Sequence, residues 1–376
     1  FGLCPKIKDA FHRSSNRKRE KDSMLPWLGQ YLVNIFGPFR LLTSYLFLAG
    51  LGTAMAASLT WVLLPRLWRY LPMDGGRAFA VEGQQCKGKP IAAGVIFVPI
   101  FVLVCFLVLP FERRLHGMLG CLLLSMLQGF SDDKSKSGGK GGWSEYKLGV
   151  VDLAIAFIVA VIMSQLRAVQ IWLPLTKVPL TLSPWLYIPL ATVILWFTIN
   201  ATNCTDGVDG LSSSLSMLAF VCLGGVLYGI VGHQDIAQYL LVPHYPDGAN
   251  WGIMAFVMVG CLAGYLWYNA NPSAVLMGDA GSRPMGLLLG MLVLACGNPF
   301  LIFIVAGVVL INGATGLLKV ALLRFFKIGI FKNVRYPLHD HVRHTMGWSN
   351  TQVMVRFMLL QAVVTPILLV LLFKVR

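Results

Sequence analysis

Ten apolar runs, most of them close to the ~20 residues a helix needs to cross a bilayer, leave this chain few ways to fold. They fall near 41–64, 91–109, 114–130, 149–166, 185–203, 211–231, 251–269, 284–297, 299–323 and 352–373. Backbone polar groups in lipid must be satisfied within a segment, so such runs are read as helices. The eighth is short for a full crossing. Hydrophobic residues make up 56% of the 376 and charged residues 12%, with a mean hydropathy of +0.70, outside the soluble range. The expectation is an all-α polytopic membrane protein of about ten transmembrane helices. Residues 24–376 form one domain, since no period of about 20–50 residues repeats.

Residues 1–23 are a basic tail without an apolar face, open to reading as native or as foreign to the natural chain, and are set aside from the fold. From Met24 to Phe39, Trp27, Tyr31, Phe36 and Phe39 suit a short interfacial helix. The segments after the first, third, fifth, seventh and ninth runs hold five, four, none, one and five Lys or Arg residues, against six opposite. That bias places the first set in the cytoplasm and leaves the basic tail outside, against the same rule. The net charge of +15 then points to anionic lipid or a phosphorylated substrate and not to nucleic acid. Eight cysteines, scattered singly, read as reduced packing residues with no disulfide or zinc framework.

Acidic and polar clusters gather on that cytoplasmic face. Asn200, Asn203, Asp206 and Asp209 recur every third residue where the fifth run ends, flanked by Gly207 and Gly210. On a helix or tight turn they share one side and can meet a cation or a ligand, although Asn and Asp also suit caps and turns. Asp132-Asp133-Lys134-Ser135-Lys136 ends the third run. Paired carboxylates beside lysines suit a phosphate and its Mg²⁺, and equally a solvated loop. Asp279, between glycines at the edge of the eighth run, can approach a divalent cation or cap that helix. His339, His341 and His344 lie within six residues, beside Arg343. They could gather a pyrophosphate, or form a His-only zinc site that the acidic neighbours disfavour. Lys87 and Lys89 add cations, and Ser137 to Gly142 lacks P-loop spacing.

Taken together, Asp132-Asp133-x-x-Lys136, Asn200-x-x-Asn203-x-x-Asp206-Gly-x-Asp209-Gly-Leu211, Met277-Gly278-Asp279-x-Gly281-Ser282 and Pro337-Leu338-His339-x-His341 resemble the polyprenyl-phosphate N-acetylhexosamine-1-phosphate transferases. Gly347-Trp348-Ser349, Val353 to Phe357 and the terminal Lys374-Val375-Arg376 resemble the branch whose donor is UDP-N-acetylmuramoyl-pentapeptide. The resemblance implies a ten-helix bundle, a homodimer in the bacterial plasma membrane, with a cytoplasmic cleft. There the donor meets undecaprenyl phosphate, Mg²⁺ assists, and UMP leaves. By position Asp279 would ligate Mg²⁺, and Asp132 and Asp133 would include the base that deprotonates the lipid phosphate or, as the lesser alternative, a covalent nucleophile. Asn200, Asn203, Asp206 and Asp209 would hold the nucleoside and diphosphate. His339 and His341 would contact phosphate or sugar, and Lys87 and Lys136 would supply charge.

The chain departs from that pattern in three places. A Thr-Pro-Thr-Met-Gly-Gly box reads Lys89-Pro90-Ile91-Ala92-Ala93-Gly94, the middle of three histidines is Asp340, and an aromatic residue before Met277 is Leu276. The rival readings are a transferase for UDP-N-acetylglucosamine and, from another class, a transporter. A transporter calls for ionisable residues near mid-span, where this reading finds Lys319 and Arg356.

Overall fold

The computed structural model describes residues 24–76, 86–139, 141–166, 169–174, 176 and 178–374. The basic tail, Arg77, Lys140, Arg167, Lys177 and the last two residues lie outside that set.

Each of the ten apolar runs coincides with helical structure. They form α2 Tyr45–Leu67, α3 Gly94–Val108, α4 Arg113–Ser137, α5 Glu145–Ser164, α6 Pro184–Thr205, α7 Leu211–Val231, α9 Gly248–Asn269, α10 Asp279–Ala295, α11 Leu301–Val305 with α12 Gly307–Phe326, and α14 Asn350–Lys374. The short helices are α1 Met24–Leu32, α8 Gln234–Tyr239 and α13 Leu338–Met346. Seven of the described helices are long and apolar enough to cross a membrane. Helix α14 has a mean hydropathy of 2.2, yet only 22% of its most apolar window is buried. An apolar, uncovered helix of that length requires lipid around it. Helix α1 and the following turn expose Trp27, Tyr31 and Phe36, as an interfacial segment does.

The short eighth run is the centre of the bundle. Helix α10 has 17 residues, and every one from Ala280 to Ala295 is buried. It packs against α3, α4, α6 and α7, so it does not meet lipid and its length need not match a bilayer. The ninth run is interrupted at Ala306, and α12 widens into a π-helical turn at Leu310–Ala314. Such turns often mark functional positions. This one packs on α6 and α13.

Helix α4 approaches the start of α10 so closely that a side chain would not fit between them. A Cβ on Gly129 would lie 2.2 Å from the Asp279 carbonyl oxygen. The missing methyl is what lets the Asp132–Asp133 end of α4 reach α10. Gly129→Ala should therefore cost about 1–3 kcal/mol, read as a lower melting temperature in detergent. Gly120→Ala, with open space around its Cβ, should melt as the wild type does.

Candidate active site

Helix α10 begins without a cap of its own. Its N-cap residue, Gly278, has φ 69° and no side chain to offer. The cap comes from α4 instead. Asp133 accepts the Asp279 N–H at Oδ1 (3.1 Å) and the Ala280 N–H at Oδ2 (3.0 Å). A carboxylate on a helix N-terminus is favoured by both the free N–H groups and the helix dipole. Burial raises the Asp133 carboxyl and the Asp279 charge adds to it, pushing it up to about 7 against the two N–H bonds and Lys136.

Asp279 stands at the mouth of this junction, its side chain 15% exposed. Oδ1 accepts from Asn203 Nδ2 at 2.8 Å, and Oδ2 from Arg283 Nε and Nη2 at 3.2 and 3.0 Å. Burial works against the charge of Asp279, but Arg283 and then Lys136 outweigh it and hold the carboxyl well below the usual carboxylate range. Lys136 Nζ bridges Asp132 Oδ2 (2.6 Å) and Asp279 Oδ2 (3.5 Å). Partial burial opposes its charge, yet Asp279 and Asp132 lift its pKa. Asp132 is fully buried, and its Oδ1 takes the Trp143 N–H at 2.6 Å.

The stretch 200–210 does not keep its four polar residues on one side. Helix α6 ends at Thr205, Asp206 occupies the C-cap, and the chain then turns, so the three-residue register breaks there. Asn200 bonds back to the Trp196 carbonyl. Asn203 reaches Asp279 and Ser282. Asp209 faces a second cluster, where its Oδ2 accepts the Ser273 N–H (3.1 Å) and lies 3.9 Å from Lys89 Nζ. His339 is buried against Gly207, with its N–H and Nδ1 on Asn312 Oδ1. His341 is set apart, near the Arg335 N–H and the Thr345 hydroxyl, and Lys87 is exposed in a turn before α3. The structure thus joins Asp132, Asp133, Lys136, Asn203 and Asp279 directly, and leaves Lys87 and His341 outside that contact network.

The altered 89–94 box works through its backbone. Leu276 N–H bonds to the Pro90 carbonyl and Ala93 N–H to the Leu276 carbonyl, which clasps the Met277-Gly278-Asp279 turn. Leu276 is buried in that clasp. Among the described residues no group of three or more His, Cys, Asp or Glu side chains could hold a metal ion. One accessible carboxylate still suits Mg²⁺, which is held through one or two carboxylates plus substrate phosphates and water. Lys136 Nζ already sets one positive charge between two carboxylates here.

Residues 115–297 match the family described as Glycosyl transferase family 4. Over 352 residues the chain is 47% identical to a phospho-N-acetylmuramoyl-pentapeptide-transferase of Treponema pallidum (strain Nichols), covering 92% of this chain and 95% of that protein. It is also 30% identical over 337 residues to the protein of that name from Helicobacter pylori (strain 26695), covering 86% and 94%. The chain belongs to the phospho-N-acetylmuramoyl-pentapeptide-transferase family. The Wolinella succinogenes relative of the same name is 29% identical over 340 residues. The family match spans Asp132, Asp133, Asn203 and Asp279 and stops before His339.

Sequence reasoning passed over Arg283, Asp152, Gln128 and Asn312. Arg283 was within reach, because it lies four residues after Asp279 and shares its helix face. Asp152, inside the fourth run, is an ionisable residue in an apolar span and should have raised the question of a partner. Lys319 and Arg356 are accounted for locally. Lys319 Nζ holds the Phe331 and Val334 carbonyls, and the Arg356 guanidinium lies over the Trp348 ring.

Gly278 is restricted on two counts, space and backbone conformation. A Cβ there would fall 2.4 Å from Asp133 Oδ2, on a left-handed backbone. Gly278→Ala should lower stability by at least about 1–2 kcal/mol from the backbone alone, read as a drop in melting temperature. A melting temperature equal to the wild type's would contradict this geometry.

Proposed function

We propose that this chain moves phospho-N-acetylmuramoyl-pentapeptide from its UDP-linked donor to undecaprenyl phosphate. The reaction releases UMP on the cytoplasmic side of a bacterial plasma membrane. The observation that carries the reading is the convergence of Asp132, Lys136, Asn203 and Asp279 at the N-terminus of a buried helix. The names of the relatives favour the muramoyl donor over UDP-N-acetylglucosamine.

The N–H groups that open α10 are taken by Asp133, so Lys136, half exposed, is the cation offered to phosphate oxygens. An apolar cavity of about 560 Å³, lined by Phe197, Phe303, Leu310, Ile311, Ala314 and Leu318, is assigned to the lipid. It runs along α6 and α12, which also carry Asn203 and Asn312. The prenyl chain lies there, and its phosphate reaches the Asp132–Asp279 face. Asp133 has both oxygens committed to backbone N–H groups, so we assign it to positioning. Asp132 is assigned the proton of the lipid phosphate, because its partner at Oδ2 is the side chain of Lys136, which is half exposed and can swing toward phosphate.

A lipid phosphate oxygen attacks the sugar-linked phosphorus, the new P–O bond forms, and the anhydride bond to UMP breaks in line. Mg²⁺ held by Asp279, when bound, supplies positive charge to the diphosphate. Lys136 neutralises further oxygens, offsetting the repulsion between two anions. Asn203 keeps Asp279 oriented, and His339, fixed by Asn312, faces the turn after α6. We expect a homodimer, as the resemblance implies.

The test is UMP release from UDP-N-acetylmuramoyl-pentapeptide in detergent. Release should require both undecaprenyl phosphate and Mg²⁺, and should vanish with Asp279→Asn. Loss of a general base predicts a fall of about 10²–10⁴-fold in kcat for Asp132→Asn. Wild-type turnover by Asp132→Asn would remove the assigned base, and release only from UDP-N-acetylglucosamine would replace the donor.

A further inference from the structure

Two hydrogen bonds from one guanidinium close one oxygen of the Asp279 carboxylate. Arg283 Nε and Nη2 both point at Oδ2, and Lys136 Nζ approaches the same atom. On the other side Oδ1 accepts from Asn203. That amide is itself fixed, because its Nδ2 also donates to Ser282 Oγ, whose hydroxyl donates to the Gly278 carbonyl. Only Oδ1 is left with a lone pair for a metal ion.

Arg283 cannot move away from this task. Its side chain is 5% exposed, and Nη1 is paired with Asp152 Oδ2 inside the bundle. Asp152, fully buried, accepts at Oδ1 from Gln128 Nε2 (3.0 Å), which also holds the Leu148 carbonyl. The guanidinium is thus braced between α5 and the first turn of α10. The charges matter as much as the geometry. Arg283 alone would cancel Asp279, and with Asp152 present the trio keeps one net negative charge to offer a cation.

We propose that Arg283, seated on Asp152, restricts Asp279 to ligation through one oxygen and so makes the site select Mg²⁺ over Ca²⁺. Mg²⁺ demands near-octahedral geometry at short distances and accepts single-oxygen carboxylates. Ca²⁺ takes six to eight oxygens and gains from a carboxylate that binds with both. Arg283 is a positioning residue that acts through Asp279. The proposal rests on Asp279 as the metal ligand.

The experiment uses the whole chain in detergent and millimolar Mn²⁺, whose bound fraction is read by electron paramagnetic resonance while Mg²⁺ or Ca²⁺ displaces it. Arg283→Met is combined with Asp152→Asn so that no buried charge is left without a partner. Arg283→Lys is the second variant, since an ammonium keeps the charge but not the fork. In the wild type Mg²⁺ should displace Mn²⁺ well below the Ca²⁺ concentration that does so. The Mg²⁺-over-Ca²⁺ preference should fall roughly tenfold in the double variant, the low end for losing a group that orients a ligand, and part-way in Arg283→Lys. An unchanged preference in either variant that still binds Mn²⁺ would overturn the proposal. Wild-type Mn²⁺ binding by Asp279→Asn would instead remove the metal-ligand reading beneath it.

Discussion

Asp133 holds the first two N–H groups of a buried helix, and the placement of every other group in the site follows from that contact. Helix α10 starts at the membrane-domain edge with free N–H donors and a glycine at its N-cap. Donors buried without partners are costly, and the carboxylate of a neighbouring helix removes that cost. The same contact fixes the register between α4 and α10. It therefore sets the distance from Asp132 and Lys136 to Asp279. Gly129 makes the approach possible on one side and Gly278 on the other.

Around that contact the charges alternate. Asp152, Arg283, Asp279, Lys136 and Asp132 follow one another with opposite signs, both ends buried and Lys136 half exposed. A buried ion pair adds little net stability, because the cost of desolvation offsets most of the attraction. The chain of pairs is better understood as a device for orientation. The inner members are locked by packing, while Lys136 is half exposed.

Much of this was legible in the residues. Apolar runs located the helices, since periodic burial in lipid leaves a long, unmistakable signal. The motifs around Asp132, Asn203 and Asp279 named side chains that meet within hydrogen-bond distance. What local sequence could not convey was which partner each would choose. Asp133 stands next to Asp132 yet turns to another helix, and Asn200 and Asp209 share a motif with Asn203 but not its contacts. The three-residue spacing, which on a helix or a tight turn would put these groups on one side, loses its register after Thr205, where the helix ends and Asp206 takes the C-cap. Ile91 and Ala92 depart from the resembled box, yet the Pro90 carbonyl and the Ala93 N–H still clasp Leu276, because those backbone groups do not depend on the side chains at 91 and 92. Asp152 and Arg283 are far apart in sequence, and the packing of both α5 and α10 on α4 and α6 brings them together.

The central claim is that Asp133 anchors the start of α10 and thereby places Asp279. Hydrogen exchange over residues 276–283, compared between the wild type and Asp133→Ala in detergent, tests it most directly. Loss of a cap worth about 1 kcal/mol predicts exchange faster by roughly fivefold at the start of α10. Protection in α9 and in the rest of α10 should stay as it is in the wild type. Unchanged protection of the Asp279 and Ala280 amides would contradict the account.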